Sequence, residues 1–279
     1  MQALKADHRL EDLLASAGLA RSTYFYHQQR LEQPDRQAEV KTAIGSIFAQ
    51  MQGRYGHRRI QAVLATQGHH VAKKTVLALM RQFGLACRVR RRHAYRSYWG
   101  TVGQVAANRL NRQFTAQTPN QKWVTDVTEF TVGGERLYLA VILDLFDRQI
   151  VAYTIGEAPN LDLTNRTLRD ALATLAPGQT PLVHSDQGTL YQHASWRALL
   201  DGAGAIPSMS RKGNCLDNAV MENFFGHLKA ECTSQARFAS TAALRQALQD
   251  YLVWYNTERI STTLANLSPM QYRAHQLAA

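Results

Sequence analysis

Three carboxylates of this 279-residue chain stand where an acid is either costly or useful. Asp126 falls in the middle of WVTDVTEFTV (123–132), an alternating, β-branched stretch. A buried acid there needs a cation or hydrogen bonds to offset its desolvation. Asp186 ends the short apolar run in PLVHSDQG (181–188), at the C-terminal end of a strand, where open sheets gather ligand-binding residues. Glu222 lies near the start of a helix in SRKGNCLDNAVMENFFGHLKAE (210–231). Helical spacing sets Asn218, Glu222, Phe225 and Lys229 on one face. Two aspartates and a glutamate from different elements are a set of hard oxygen donors. Mg²⁺ is held by one or two carboxylates together with water and phosphate oxygens. Two such ions about 3.5–4 Å apart activate the attacking oxygen and stabilise the leaving one in phosphoryl transfer. By position alone the trio has competitors in Glu129, Asp144, Asp147 and Asp162, and surface acids are commonly only solvated. Asp217 reads as a helix N-cap, and Glu231 as a residue of the polar end, away from the Glu222 face.

The elements that must position these acids follow from periodicity. Strands are expected at 123–132, 136–146 and 149–156, the first two joined through Gly133-Gly134 as a hairpin and the third completing a meander. A helix over 161–176 ends at Pro177-Gly178. A strand at 181–188, a helix at 195–204 capped by Ser195, a strand at 205–210 and a helix from about Asp217 come next. A long helix over 241–259 closes the series. The order β-β-β-α-β-α-β-α describes an α/β fold, a mixed sheet with helices on its faces. Trp123, Phe224 and Phe225 read as core. His184, two residues before Asp186, is open to either ordering the site or serving as a hydrogen-bonded structural histidine.

The first part of the chain is helical. Residues 8–30 read as helix, turn, helix, with Leu10, Leu13 and Leu14 facing inward, Gly18 as the stop and Ser22 as the next cap. A further helix covers roughly 35–52. Residues 54–85 repeat the helix–turn–helix pattern, Ile60, Val63 and Leu64 in one helix and Val76, Leu77, Leu79 and Met80 in the other, separated at Gly68. Such units dock a helix in the major groove, although a plain helical hairpin has the same pattern. The charge sits here too: residues 1–120 hold 19 Lys/Arg against 6 Asp/Glu, a balance of +13, and residues 121–279 hold 13 against 15, a balance of −2. A basic segment of this size points to nucleic acid. Arg58, Arg59, Lys73 and Lys74 are the candidate contacts in the second unit. Arg90, Arg91 and Arg92 are those of the basic, aromatic-interleaved run ACRVRRRHAYRSYWG. Cys87, Cys215 and Cys232 fit neither a disulfide framework nor a zinc site, and no apolar run of about 18 residues is present, so a cytoplasmic chain without a membrane span is expected. The divisions are 1–33, 34–85, a basic linker 86–122, the sheet unit 123–240 and a helical extension 241–279.

The segments NQKWVTDVTEF, LYLAVILDLFDRQIVAYTIG, LVHSDQGTLY and SMSRKGNCLDNAVMENFFGHLKAE resemble the catalytic domain of two-reading-frame insertion-sequence transposases, the second-frame (OrfB) product of the IS-three family, related to retroviral integrases. Asp126, Asp186 and Glu222 fall on that family's Asp, Asp, Glu positions, with the 35 residues 187 to 221 between the last two. RYGHRRI and ARSTYFYH resemble its N-terminal helix–turn–helix region. The resemblance implies a ribonuclease H-like core, two Mg²⁺ or Mn²⁺ ions held by Asp126, Asp186 and Glu222, and DNA ends and target as substrates. It implies at least a dimer on DNA and an upstream-frame (OrfA-type) partner. It also implies DNA contacts from Lys229 and from Arg211, Lys212 and Asn214 in the loop before the glutamate helix. Where relatives place a histidine near the C-terminus this chain has Ser261 and Thr262, so no catalytic role is assigned there. The implied reaction is cleavage at element ends and strand transfer by the freed 3′-hydroxyl. The reading from another class is a DNA-binding regulator that uses its triad little.

Overall fold

The structure, a computed structural model, describes residues 6–32, 35, 37–87, 104–211, 214–234 and 236–278. Its N-terminal part is a run of helices: α1 (Leu10–Ala17), α2 (Arg21–Glu32), α3 (Ala38–Gln50), α4 (His57–Thr66) and α5 (Lys73–Gln82). Gly18 ends α1 in the left-handed region, φ 62°, where a glycine carries no steric penalty. Ser22 does not cap α2. The helix already starts at Arg21, which leaves the serine inside its first turn. Apolar residues three and four apart on α3, α4 and α5 meet in one small core of Ile44, Ile47, Ile60, Leu64, Val76, Leu79 and Met80, closed by Tyr55.

From Lys122 the chain builds a five-stranded sheet of order β3-β2-β1-β4-β5 from β1 (Lys122–Val132), β2 (Glu135–Asp144), β3 (Ile150–Gly156), β4 (Leu182–Ser185) and β5 (Ile206–Met209). The first three are antiparallel neighbours; β4 and β5 add in parallel beside β1. Gly133 and Gly134 both have positive φ, 59° and 89°, as the tight turn between two twisted strands requires. Strand β2 shows why helices must cover both faces. Leu137, Leu139, Val141 and Leu143 enter one core with Met221, Phe224, Phe225, Leu228, Leu244 and Leu248. Ile142, from the opposite face, enters another with Trp123, Leu168, Val183, Trp196 and Leu200. Successive side chains point to opposite faces, so a strand covered on both reads as an unbroken apolar run.

The covering helices are α6 (Leu161–Leu172), α7 (Thr189–Gln192), α8 (Ala194–Gly202), α9 (Ala219–Leu228), α10 (Thr241–Thr257) and α11 (Pro269–Ala278). The cap of α8 is His193, whose ring accepts from the Ser195 amide; Ser195 lies inside the helix. The polar composition of 262–279 hid α11, which Arg273 ties to the β2–β3 turn through Asp144 at 2.8 Å and through Asp147. Residues 104–121 hold no helix or strand, yet they lie against the sheet: Leu110 is in its core, and the amides of Arg109 and Leu110 donate to Ser208 Oγ at 2.9 and 3.1 Å. Among the described residues no helix is long and apolar enough to cross a membrane.

Candidate active site

Strand register brings the two aspartates together. β1 and β4 run parallel with Val124 beside His184, and β4 ends one residue later at Ser185. Two residues further along the chain from that pair are Asp126, still within β1, and Asp186, just past the end of β4, where the ladder has stopped. Asp126 is therefore in the sheet on its β2 side, opposite Val141, and free of strand pairing on the other. Its Oδ1 accepts from the Val127 amide at 2.8 Å and its Oδ2 from Asn218 Nδ2 at 3.3 Å. Asp186 is fixed by the following turn, its Oδ1 accepting from the Gly188 amide at 2.8 Å. A Cβ on Gly188 would sit 2.9 Å from that same oxygen, so the position admits only glycine without displacing the carboxylate.

Glu222 stands on the first turn of α9 and Lys229 directly after its end; both act on Asp126 electrostatically. Burial, then the charge of Asp186, then that of Glu222 push the Asp126 pKa well up from the ordinary value, while the Val127 amide and Lys229 oppose them. Asp126 and Asp186 nevertheless keep partial access to solvent. Burial raises Asp186 as well, against the Gly188 hydrogen bond. The Lys229 ammonium lies over the Phe130 ring, 5.5 Å from its centroid; burial draws its pKa down while Asp126 and Glu129 support the charge. Tyr191 is buried within electrostatic reach, its hydroxyl pKa pushed up by burial and then by both aspartates.

The donor set fits a hard divalent cation. Two partly buried carboxylates, the pKa of one raised by the charge of the other, are stabilised by a shared positive charge, and Mg²⁺ takes one or two carboxylates with the rest of its shell from water and phosphate. Among the described residues no group of three or more His, Cys, Asp or Glu side chains is gathered closely enough to hold a metal. The trio is thus an aspartate pair with the glutamate in electrostatic reach, not a closed three-carboxylate cage.

Around this pair the structure sorts the remaining sequence readings. Of the face expected on the glutamate helix, Asn218 and Lys229 turn toward Asp126, whereas Phe225 is in the core. His184 is the hydrogen-bonded structural histidine: it is fully buried, Nδ1 is 2.8 Å from Ser208 Oγ, Nε2 is 3.1 Å from Ser210 Oγ, and burial lowers its pKa to about 4. Asp217 is not a helix cap. It is wholly buried and accepts from Arg211 Nη2 at 2.8 Å, Arg112 Nε at 2.9 Å and Asn108 Nδ2 at 2.9 Å, the Arg211 hydrogen bonds foremost in holding its pKa far down. Glu231 is buried, not solvated, because Arg259 and Arg59 pair with it.

Among the candidate DNA contacts, Arg58, Lys73, Lys74 and Arg211 are exposed. Arg59 turns inward to Glu231, and Asn214 accepts from Arg112 Nη2 at 3.1 Å. Arg90, Arg91, Arg92 and Lys212 lie outside the described residues. Sequence reasoning assigned no role to Asn218 or Gly188. The signals were there: Asn218 is one helical turn before Glu222, and Gly188 follows the aspartate by two at a strand end.

Residues 116–215 and 222–277 match integrase core domain families, and residues 34–93 match an HTH-like domain. The chain is 43% identical over 270 residues to the putative transposase InsK for insertion sequence element IS150 of Escherichia coli (strain K12), covering 97% of this chain and 95% of that protein. It is 31% identical over 279 residues to the transposase InsF for insertion sequence IS3A of the same strain, covering 98% and 97%. Among solved structures it is similar to the HTLV-2 integrase catalytic core domain in complex with magnesium, with a TM-score of 0.41 and 17% identity over 56% of this chain and 98% of that one.

Proposed function

The chain belongs to the IS3 family of insertion-sequence transposases, with a ribonuclease H-like core, and from that premise we propose that it cuts DNA at element ends and joins the freed 3′-hydroxyl to a target strand. The observation that carries this reading is the parallel β1–β4 register, which sets Asp126 level with Asp186 beside the Glu222 helix. In each of the two steps one phosphorus–oxygen bond forms and one breaks. In the first, water attacks the end phosphodiester and leaves a 3′-hydroxyl; in the second, that hydroxyl attacks a target phosphodiester. No covalent bond to the protein is required.

Asp126, Asp186 and Glu222 would hold the divalent cations, Mg²⁺ or Mn²⁺. When bound, the metal supplies Lewis-acid stabilisation of charge and a lowered pKa for the attacking oxygen. The protein groups orient and neutralise. The Val127 amide and Asn218 fix the two oxygens of Asp126, and Gly188 fixes Asp186. Lys229, held beside Asp126, is suited to a phosphate of the element end, and the exposed Arg211 to one beyond the scissile bond. Arg58, Lys73 and Lys74 supply backbone phosphate contacts at a distance from the chemistry. The assembly on DNA is at least a dimer, with an upstream-frame product as partner.

The test follows a labelled 3′ end on a duplex carrying the element end, with Mg²⁺ or Mn²⁺, in the presence of the upstream-frame product. Cleavage followed by transfer of the label to a second duplex is expected. Asp126→Asn and Glu222→Gln should abolish both steps, by at least about 10³-fold, and leave DNA binding intact. Cleavage without joining would reduce the activity to a nuclease. Full activity in either variant refutes the site, and no nicking by the wild-type protein favours a DNA-binding regulator.

A further inference from the structure

Glu231 is an acid that the proposed reaction does not use, and it is only 3% exposed. It lies in a π-helical turn, Lys229–Thr233, that continues α9. Such widened turns offset the register of a helix and recur at functional sites. Lys229, at the start of this turn, lies near Asp126, and Glu231, two residues later, meets Arg59, Tyr251 and Arg259. Arg259 grips the carboxylate with two bonds, Nε to Oε2 at 2.8 Å and Nη2 to Oε1 at 2.7 Å. The Tyr251 hydroxyl donates to Oε2 at 2.9 Å, and Arg59 Nη1 to Oε1 at 3.3 Å. The main-chain carbonyl of Glu231 accepts from Arg54 Nε at 3.3 Å, and His227 Nδ1 lies 3.7 Å from Oε1.

Arg54 and Arg59 flank the start of α4, the first helix of the second helix–turn–helix unit. The same turn is fastened elsewhere as well. The Tyr55 hydroxyl donates to the Glu258 carbonyl at 3.3 Å and accepts from the Ile260 amide at 3.0 Å. The Arg54 guanidinium stacks 4.5 Å from the Trp254 ring centroid. One carboxylate thus joins the root of the N-terminal unit to the end of the glutamate helix, and lies between two arginines, Arg59 and Arg259, that repel one another. The bidentate Arg259 pair holds the Glu231 carboxylate in essentially one geometry, so a tilt of α4 acting through Arg59 and Arg54 meets a rigid acceptor at the end of α9.

We propose that Glu231 is a positioning residue that couples α4 and α5 to α9, so that DNA lying on the helix pair sets the pitch of the helix carrying Glu222 and Lys229. The coupling deepens the functional reading above, on which the role of Glu222 rests, but its test does not need cleavage. Hydrogen–deuterium exchange is followed in the full chain with and without a random-sequence duplex at low salt. In the wild-type protein saturating duplex should slow exchange over both 57–82 and 219–233. Glu231→Gln keeps the shape and removes the charge. Arg59→Met cuts only the N-terminal link and leaves the Glu231–Arg259 pair. In both variants 57–82 should be protected as in the wild type, while the protection of 219–233 falls by about fivefold or more. Retained protection of 219–233 in both variants overturns the proposal. So does loss of protection in both segments together, which would make Glu231 a holder of the fold alone. Failure of the wild-type protein to cleave DNA would count against the functional reading and leave the exchange result to decide the coupling.

Discussion

At Asp126 the chain sets a carboxylate into a partly buried position beside Asp186, and folding and chemistry pull there in opposite directions. Burial and then Asp186 raise its pKa well above the ordinary 3.8, so the folded chain holds this proton more tightly than the unfolded chain does. As pH rises from 3.8 through the raised value the folded state gives up a proton it favours, and stability falls. Asp126→Asn lacks this penalty. In metal-free buffer the variant should melt higher than wild type at pH 7, and the gap should shrink toward pH 4. Mg²⁺ should raise the wild-type melting temperature and leave the variant's unchanged. A variant that melts at or below wild type at pH 7 would contradict the raised pKa. Gly188→Ala tests the same site by space: its Cβ would press on the Asp186 carboxylate, 2.9 Å away, and cleavage should drop by about 10²-fold with the fold retained. Unchanged cleavage would show that the Asp186 carboxylate tolerates displacement.

Among the elements, the strands and the glutamate helix were legible because their cues are local. The alternation in 123–132, the Gly-Gly turn and the apolar run of β2 each fix a strand without reference to distant residues. Side-chain ion pairs were not legible. Asp217 sits where a helix cap belongs, and its partners Arg211 and, far away in sequence, Arg112 make it a buried salt-bridge acceptor instead. Glu231 escaped for the same reason, its partners Arg59 and Arg259 lying in other elements. Element α11 illustrates the energetic weight of such pairs. Asp144 and Asp147 are fully buried, Arg273 bonds to both, and the charge of Arg148 lies close enough to interact with both. Arg273→Ala leaves two buried carboxylates facing each other and should cost about 3–5 kcal/mol in urea unfolding. A loss below about 1 kcal/mol would mean that backbone amides alone satisfy them.

For the molecule as a whole, charge and chemistry are separated along the chain. The +13 balance belongs to residues 1–120, and the carboxylates to the nearly neutral remainder. DNA affinity should therefore fall steeply with salt, and Lys73→Ala with Lys74→Ala should lower the slope of log K against log salt by about 2. An unchanged slope would remove α5 from the DNA surface. The bond between the two halves runs through the joint at Glu231, where burial lifts the carboxyl but the Arg259 hydrogen bonds and charge overcome it and hold the pKa at about 2. The joint is accordingly intact above the ordinary carboxylate value of 4.5 and weakens as pH falls toward 2.

The account stands on Asp126 and Asp186 sharing a divalent cation. The most direct measurement is titration of Mn²⁺ into the protein bound to a duplex carrying the element end, with free Mn²⁺ read by its paramagnetic resonance signal. Wild-type protein should bind Mn²⁺, and Asp126→Asn and Asp186→Asn should each weaken that binding by about tenfold or more. Equal Mn²⁺ binding by wild type and both variants would contradict it.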